Sequence, residues 1–124
     1  MILSFKHIRI VPLNALYQPI IRLVRGKPTP SIILSSRAKE CKKLLTMMAL
    51  RQKPKKPLTG KLSVKIDFCY KGKKRGDADS GFKLLFDALE GIIFTNDSQI
   101  VEIISRSHTE CGENEINMII EEID

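Results

Sequence analysis

Asp77 and Asp79 are separated by one residue and followed by Lys83, Asp87 and Asp97, a spacing able to gather acids and one cation around a point. Like charges brought this close repel. A third carboxylate within ~5 Å costs about 3 kcal/mol per pair at an effective dielectric of 20, so such a set must protonate or bind a cation. Oxygen-only ligands suit Mg²⁺, which keeps several waters and shares its remaining positions with phosphate. The cations just upstream, Lys71, Lys73, Lys74 and Arg75, favour a phosphate-bearing ligand. A competing reading makes Asp79 a helix N-cap and pairs Lys83 with Asp87 at the surface, each contributing roughly 0.3–1 kcal/mol.

These residues need elements to position them. Lys61–Tyr70 alternates cleanly, with Leu62, Val64, Ile66, Phe68 and Tyr70 on one face, which predicts a strand. A polar loop follows, then a helix expected over 79–90, whose Phe82, Leu85, Phe86 and Leu89 repeat at helical spacing and bury one face. Lys83 and Asp87 fall beside each other off that stripe, with Asp79 one turn above Lys83. Gly91 stops the helix. Both acids of the pair thus lie where a strand has ended and a helix begins, and loops of this kind often carry catalytic groups.

Elsewhere, residues 4–11 read as a strand ended by Pro12, and 12–35 as a proline-rich loop holding a loose basic hairpin. Ser35 or Ser36 caps a helix expected over 37–51, with Ala38, Cys41, Leu45 and Met48 inward and Leu44, Met47 and Leu50 widening that stripe. Residues 99–107 and 115–123 read as two strands joined by a turn around Cys111. The order predicts one α+β domain over residues 1–124, a mixed sheet backed by two helices.

With 124 residues, 43% apolar and 28% charged, the chain is neither disordered nor of low complexity. The net charge of +7 hides a division: residues 1–75 carry 19 Lys+Arg against 2 Asp+Glu, and residues 76–124 carry 2 against 12. A uniformly basic protein is excluded. Either the first half binds a polyanion or the two halves neutralise each other across the fold. No run of ~18 apolar residues spans a membrane. Three widely spaced cysteines without a CxxC pair argue against a disulfide framework or a zinc site and point to a reducing cytoplasm.

Lys53, Lys55 and Lys56, in a proline-broken linker, read as phosphate contacts. Tyr17 either stacks on a base, supports the site or packs. His7 and His108 are isolated, and neither is assigned to chemistry.

The sequence resembles the RusA-like Holliday junction resolvases, often encoded by phages and prophages. The resemblance rests on Asp77-Ala-Asp79-Ser80-Gly-Phe-Lys83, then Asp87-Ala88-Leu89, then Asn96-Asp97-Ser98-Gln99-Ile100-Val101, with Pro12-Leu-Asn14-Ala-Leu-Tyr17 near the start. It departs from the family pattern at Ser80, usually Asn, and at Asn96, usually an acid. The resemblance implies that Asp77, Asp79 and Asp97 bind catalytic Mg²⁺, that Lys83 acts beside them with Asp87 in support, and that a homodimer cuts branched DNA. A metal nuclease for flaps and a junction-binding protein without turnover are the alternatives.

Overall fold

The computed structural model describes residues 1–123; Asp124, counted above with the acidic half, lies outside the described residues. Its elements are β1 (Ile2–Lys6), β2 (Tyr17–Val24), β3 (Lys27–Leu34), α1 (Ser36–Gln52), β4 (Lys61–Cys69), α2 (Phe82–Leu89), β5 (Ile100–His108) and β6 (Glu115–Ile123). Four strands form a mixed sheet in the order β1-β6-β4-β5, and β2 and β3 form a separate hairpin. The α+β architecture with two helices against a mixed sheet matches expectation.

β4 is central and has the clearest alternation: Leu62, Val64, Ile66 and Phe68 are all buried, against the exposed Lys61 and Lys65 of the other face. It pairs antiparallel with β6 and parallel with β5, and α2 makes the connection that parallel strands require. The strands β5 and β6 are therefore not a hairpin, because β4 lies between them. The apolar sheet face packs against Ala38, Cys41, Leu45 and Ala49 of α1 and against α2, where Leu84 joins Leu85, Phe86 and Leu89 in the core.

Several boundaries differ from those read in the sequence. β1 leaves the sheet at His7, whose φ of 57° lies in the left-handed region; Ile8, Ile10 and Val11 still enter the core, which explains the strand-like pattern over 4–11. The loose hairpin is a regular one of eight residues per strand. Pro19, Pro28 and Pro30 are compatible with it because a two-stranded ribbon has only edge strands. One face carries the exposed Ile21, Leu23 and Ile32, and the other carries Arg22 and Lys27. Ser35 caps α1, its hydroxyl accepting from the Ala38 amide at 3.2 Å. Leu44, Met47 and Leu50 point outward and do not widen the buried stripe.

α2 begins at Phe82, three residues later than expected. Asp79 stands in the preceding turn, so it neither caps the helix nor continues the Lys83–Asp87 row as a helical position. Gly81 holds the N-cap position and is fully packed: a Cβ there would lie 2.9 Å from Ile10 Cγ1 and 3.0 Å from Phe68 Cε1. The backbone must come this close to the core for the acidic loop to enter the helix where it does.

Candidate active site

The loop between β4 and α2 passes over β5, and hydroxyl groups hold it at successive carbonyls. Ser107 Oγ donates to the Gly76 carbonyl at 2.9 Å, Ser80 Oγ to that of Asp77 at 2.9 Å, and Ser105 Oγ to that of Ala78. The Ser80 amide also reaches the Asp77 carbonyl at 3.1 Å, and the Ser80 carbonyl accepts from the Leu13 amide at 2.9 Å. Buried Tyr70 stands beside the start of the loop, its phenolic oxygen close to Gly76 and its ring capped by the Arg9 guanidinium 5.0 Å away. Burial pushes the Tyr70 phenol above its ordinary pKa, so it stays protonated at neutral pH.

Asp77 and Asp79 line one cavity of about 520 Å³ with Arg75, Gly76, Ser80 and the 12–14 segment, including Asn14. Both carboxylates are exposed. Asn14 comes from the early part of the sequence that carried the resemblance, and the fold brings it to the same cavity as the acids.

Lys83 and Asp87 form an ion pair along α2, Nζ to Oδ2 at 3.2 Å. Its hydrogen bond to Asp87 raises the Lys83 pKa, and the charge of Asp87 adds to the rise; Tyr17 and Asp97 make smaller contributions from nearby. Tyr17 and Asp97, far apart in sequence, thus both approach Lys83. Asp97 opens a short 3-10 turn, Asp97–Gln99, capped by Asn96, whose side chain accepts from the Ser98 amide at 2.8 Å. The Gln99 side chain returns the bond to the Asn96 amide at 2.7 Å, so Asn96, the departure from the family acid, is a capping residue here. Glu90 accepts from the Asp97 amide at 3.1 Å, a contact absent from the sequence reading.

Among the described residues, no three His, Cys, Asp or Glu side chains converge closely enough to hold a metal ion. Asp77 and Asp79 share a cavity, while Asp97 approaches the site from the Lys83 side. Two exposed carboxylates on one cavity wall still fit Mg²⁺, which commonly takes one or two protein carboxylates and completes its shell with water and substrate phosphate.

The sequence matches the family described as Endodeoxyribonuclease RusA over residues 15–121. The chain belongs to the RusA family. A search of curated proteins finds no match. Membership supports an endodeoxyribonuclease and implies one that resolves Holliday junctions. The matched span includes Tyr17 and every acid and cation of the candidate site described above.

The candidate site directly follows the cationic stretch of the sequence. Lys71, Lys73 and Lys74 are exposed on the loop leading to Arg75, and Lys53, Lys55 and Lys56 are exposed between α1 and β4. Among the described residues the Lys83–Asp87 pair is the only ion pair made by a Lys or Arg. Among the described residues the two halves therefore do not neutralise each other through Lys or Arg ion pairs, and the cations of residues 1–75 are exposed except for the half-buried Lys42. His7 and His108 each meet a surface carboxylate, Glu113 and Asp67, at 2.7 Å, and neither lines the acidic cavity.

Ser105 and Ser107 were missed as site residues. Their alternation along a polar strand reads as a solvent face, but the register pairs them with Ile66 and Phe68, on the helix-covered side. No helix among the described residues is long and apolar enough to cross a membrane.

Proposed function

We propose that the chain is a Mg²⁺-dependent, structure-selective endodeoxyribonuclease that resolves four-way junctions by paired phosphodiester hydrolysis in recombination and repair. The observation that carries this reading is the cavity shared by Asp77, Asp79 and Arg75 at the border of the cationic half. Asp77 and Asp79 would hold the cation, with Asp97 as a third ligand drawn from the Lys83 side. When bound, that cation polarises the scissile phosphate and lowers the pKa of a coordinated water.

The chain's own groups supply the rest. Arg75 places a guanidinium on the cavity wall, where a phosphate oxygen can take two of its N–H donors. Lys83, protonated and oriented by Asp87, stabilises the charge that builds on the phosphate during in-line attack. Lys53, Lys55, Lys56, Lys71, Lys73 and Lys74 neutralise backbone phosphates away from the cut, and Tyr17 meets the DNA or supports Lys83. Two equivalent cuts suit a two-fold homodimer with one site per subunit, and the exposed apolar face of the β2–β3 hairpin supports self-association. The unit acting is a single domain spanning residues 1–124, working in the cytoplasm.

The test is cleavage of a synthetic four-way junction beside flap and linear duplex controls, with and without Mg²⁺. The reading expects Mg²⁺-dependent paired nicks on the junction and about 100-fold or greater loss in Asp79→Asn with binding retained. Preference for flaps points to the related metal nuclease, and tight junction binding with no nicking points to a binding protein; either overturns the reading.

A further inference from the structure

We propose that Ser105 and Ser107 are positioning residues that fix the spacing of Asp77 and Asp79 by clamping the loop between β4 and α2. This rests on the reading of those two acids as the cation-holding pair.

The β5 register carries the first part of the argument. Ser105 and Ser107 pair with the buried Ile66 and Phe68, so both belong to the sheet face that the acidic loop covers. Such a position normally takes an apolar side chain. These two inward positions hold hydroxyls instead, both half-buried. A hydroxyl withdrawn from water needs a partner to offset its lost hydration. Each has one, and both partners are loop carbonyls: Gly76 for Ser107 and Ala78 for Ser105.

The spacing supplies the second part. One residue separates the serines along β5, and one separates the carbonyls they hold, so the loop runs alongside the edge strand with the carbonyls flanking Asp77 tied down. The Asp77 carbonyl is taken by Ser80. Three successive carbonyls of an exposed loop are therefore satisfied by serine side chains, and the two from β5 anchor it to the sheet. Such anchoring removes backbone freedom that the loop would otherwise lose on binding a cation.

A supporting group of this kind typically accounts for 10- to 100-fold in metal affinity or activity. The experiment compares wild type, Ser105→Ala, Ser107→Ala, the double alanine variant and the double threonine variant, which keeps both hydroxyls. Amide hydrogen exchange over residues 76–80 reads the clamp directly. Calorimetric titration of the DNA-free protein with Mn²⁺, standing in for Mg²⁺, reads the acids, and the Mg²⁺ concentration for half-maximal junction nicking reads the site in action.

The proposal expects lost protection at residues 76–80 in the double alanine variant, with protection kept in β4 and β6. It expects Mn²⁺ affinity to fall about 10- to 100-fold and the Mg²⁺ requirement to rise to match. Metal-free junction affinity stays unchanged, and threonine restores wild-type behaviour. A folded alanine variant with unchanged exchange and unchanged Mn²⁺ affinity overturns it. So does a lower melting temperature with cation affinity intact, which assigns the serines to stability alone. If the double variant does not fold, the single variants decide by the same readouts. Wild-type protein that binds no Mn²⁺ refutes the reading of the acids, whereas the exchange measurement still decides whether the serines hold the loop.

Discussion

Lys83 and Asp87 face each other across one turn of α2, Nζ to Oδ2 at 3.2 Å, and this contact raises the lysine's pKa. The pair's contribution to stability is complete below the ordinary lysine value of 10.5 and is lost as pH rises through the raised one. Both side chains are partly exposed, so Asp87→Asn changes stability by only a few tenths of a kcal/mol. Its effect on titration is clearer: the Lys83 midpoint, followed by NMR of the side-chain carbon next to the nitrogen, falls in the variant. Lys83→Ala removes the charge altogether and lowers junction cleavage about 100- to 1000-fold with little loss of binding.

Among the described residues Lys53, Lys55 and Lys56 make no ion pairs, and all three lie outside the helices and strands, Lys53 as the C-cap of α1. Replacing Lys53, Lys55 and Lys56 together with alanine leaves the melting temperature unchanged. Junction and duplex binding weaken alike, and the slope of log affinity against log salt flattens by about 3, since each phosphate contact adds about 0.9. A salt titration by fluorescence anisotropy checks this.

Gly81 allows the acidic loop to enter α2 against Ile10 and Phe68. In Gly81→Ala the new methyl meets two buried side chains that have little room to retreat, and overpacking of this kind costs about 1–3 kcal/mol. Chemical denaturation measures the loss, and a variant as stable as wild type refutes the packing argument.

Cys69 is pushed up to about 11, first by burial, then by its hydrogen bond with Cys111 and the nearby charges of Cys111, Glu115 and Asp67. Alkylation by iodoacetamide, followed site by site by mass spectrometry, is therefore slow at neutral pH. Its rate at Cys69 climbs until about pH 11, where an unperturbed thiol would level off near 9.0.

Legibility followed periodicity. β4 showed in the sequence because one face is wholly buried, and α1 because its cap and inward stripe agree. The hairpin was under-read because Pro19, Pro28 and Pro30 look like breakers, and only its separation from the main sheet makes them compatible. The start of α2 was misplaced because Asp79 has the chemistry of a cap, while packing of Gly81 on Ile10 and Phe68 sets where the helix begins. The site showed the same division. The acids and Lys83 were visible in their spacing, but the partners Ser105, Ser107 and Glu90 come from other elements and depend on pairings that no local pattern encodes.

The sheet order also governs when this protein can become whole. β6 lies between β1 and β4, and the amino group of Met1 donates to the carbonyl of Ile120, 119 positions away. As the chain leaves the ribosome, β1 has no strand to join until residues 115–123 have emerged, and Leu3 and Phe5 wait without their sheet partners. The hairpin and α1, built from local contacts, can form earlier. Assembly of the sheet that carries the acidic loop is thus a late event, and a partly made chain cannot complete the machinery for cutting DNA.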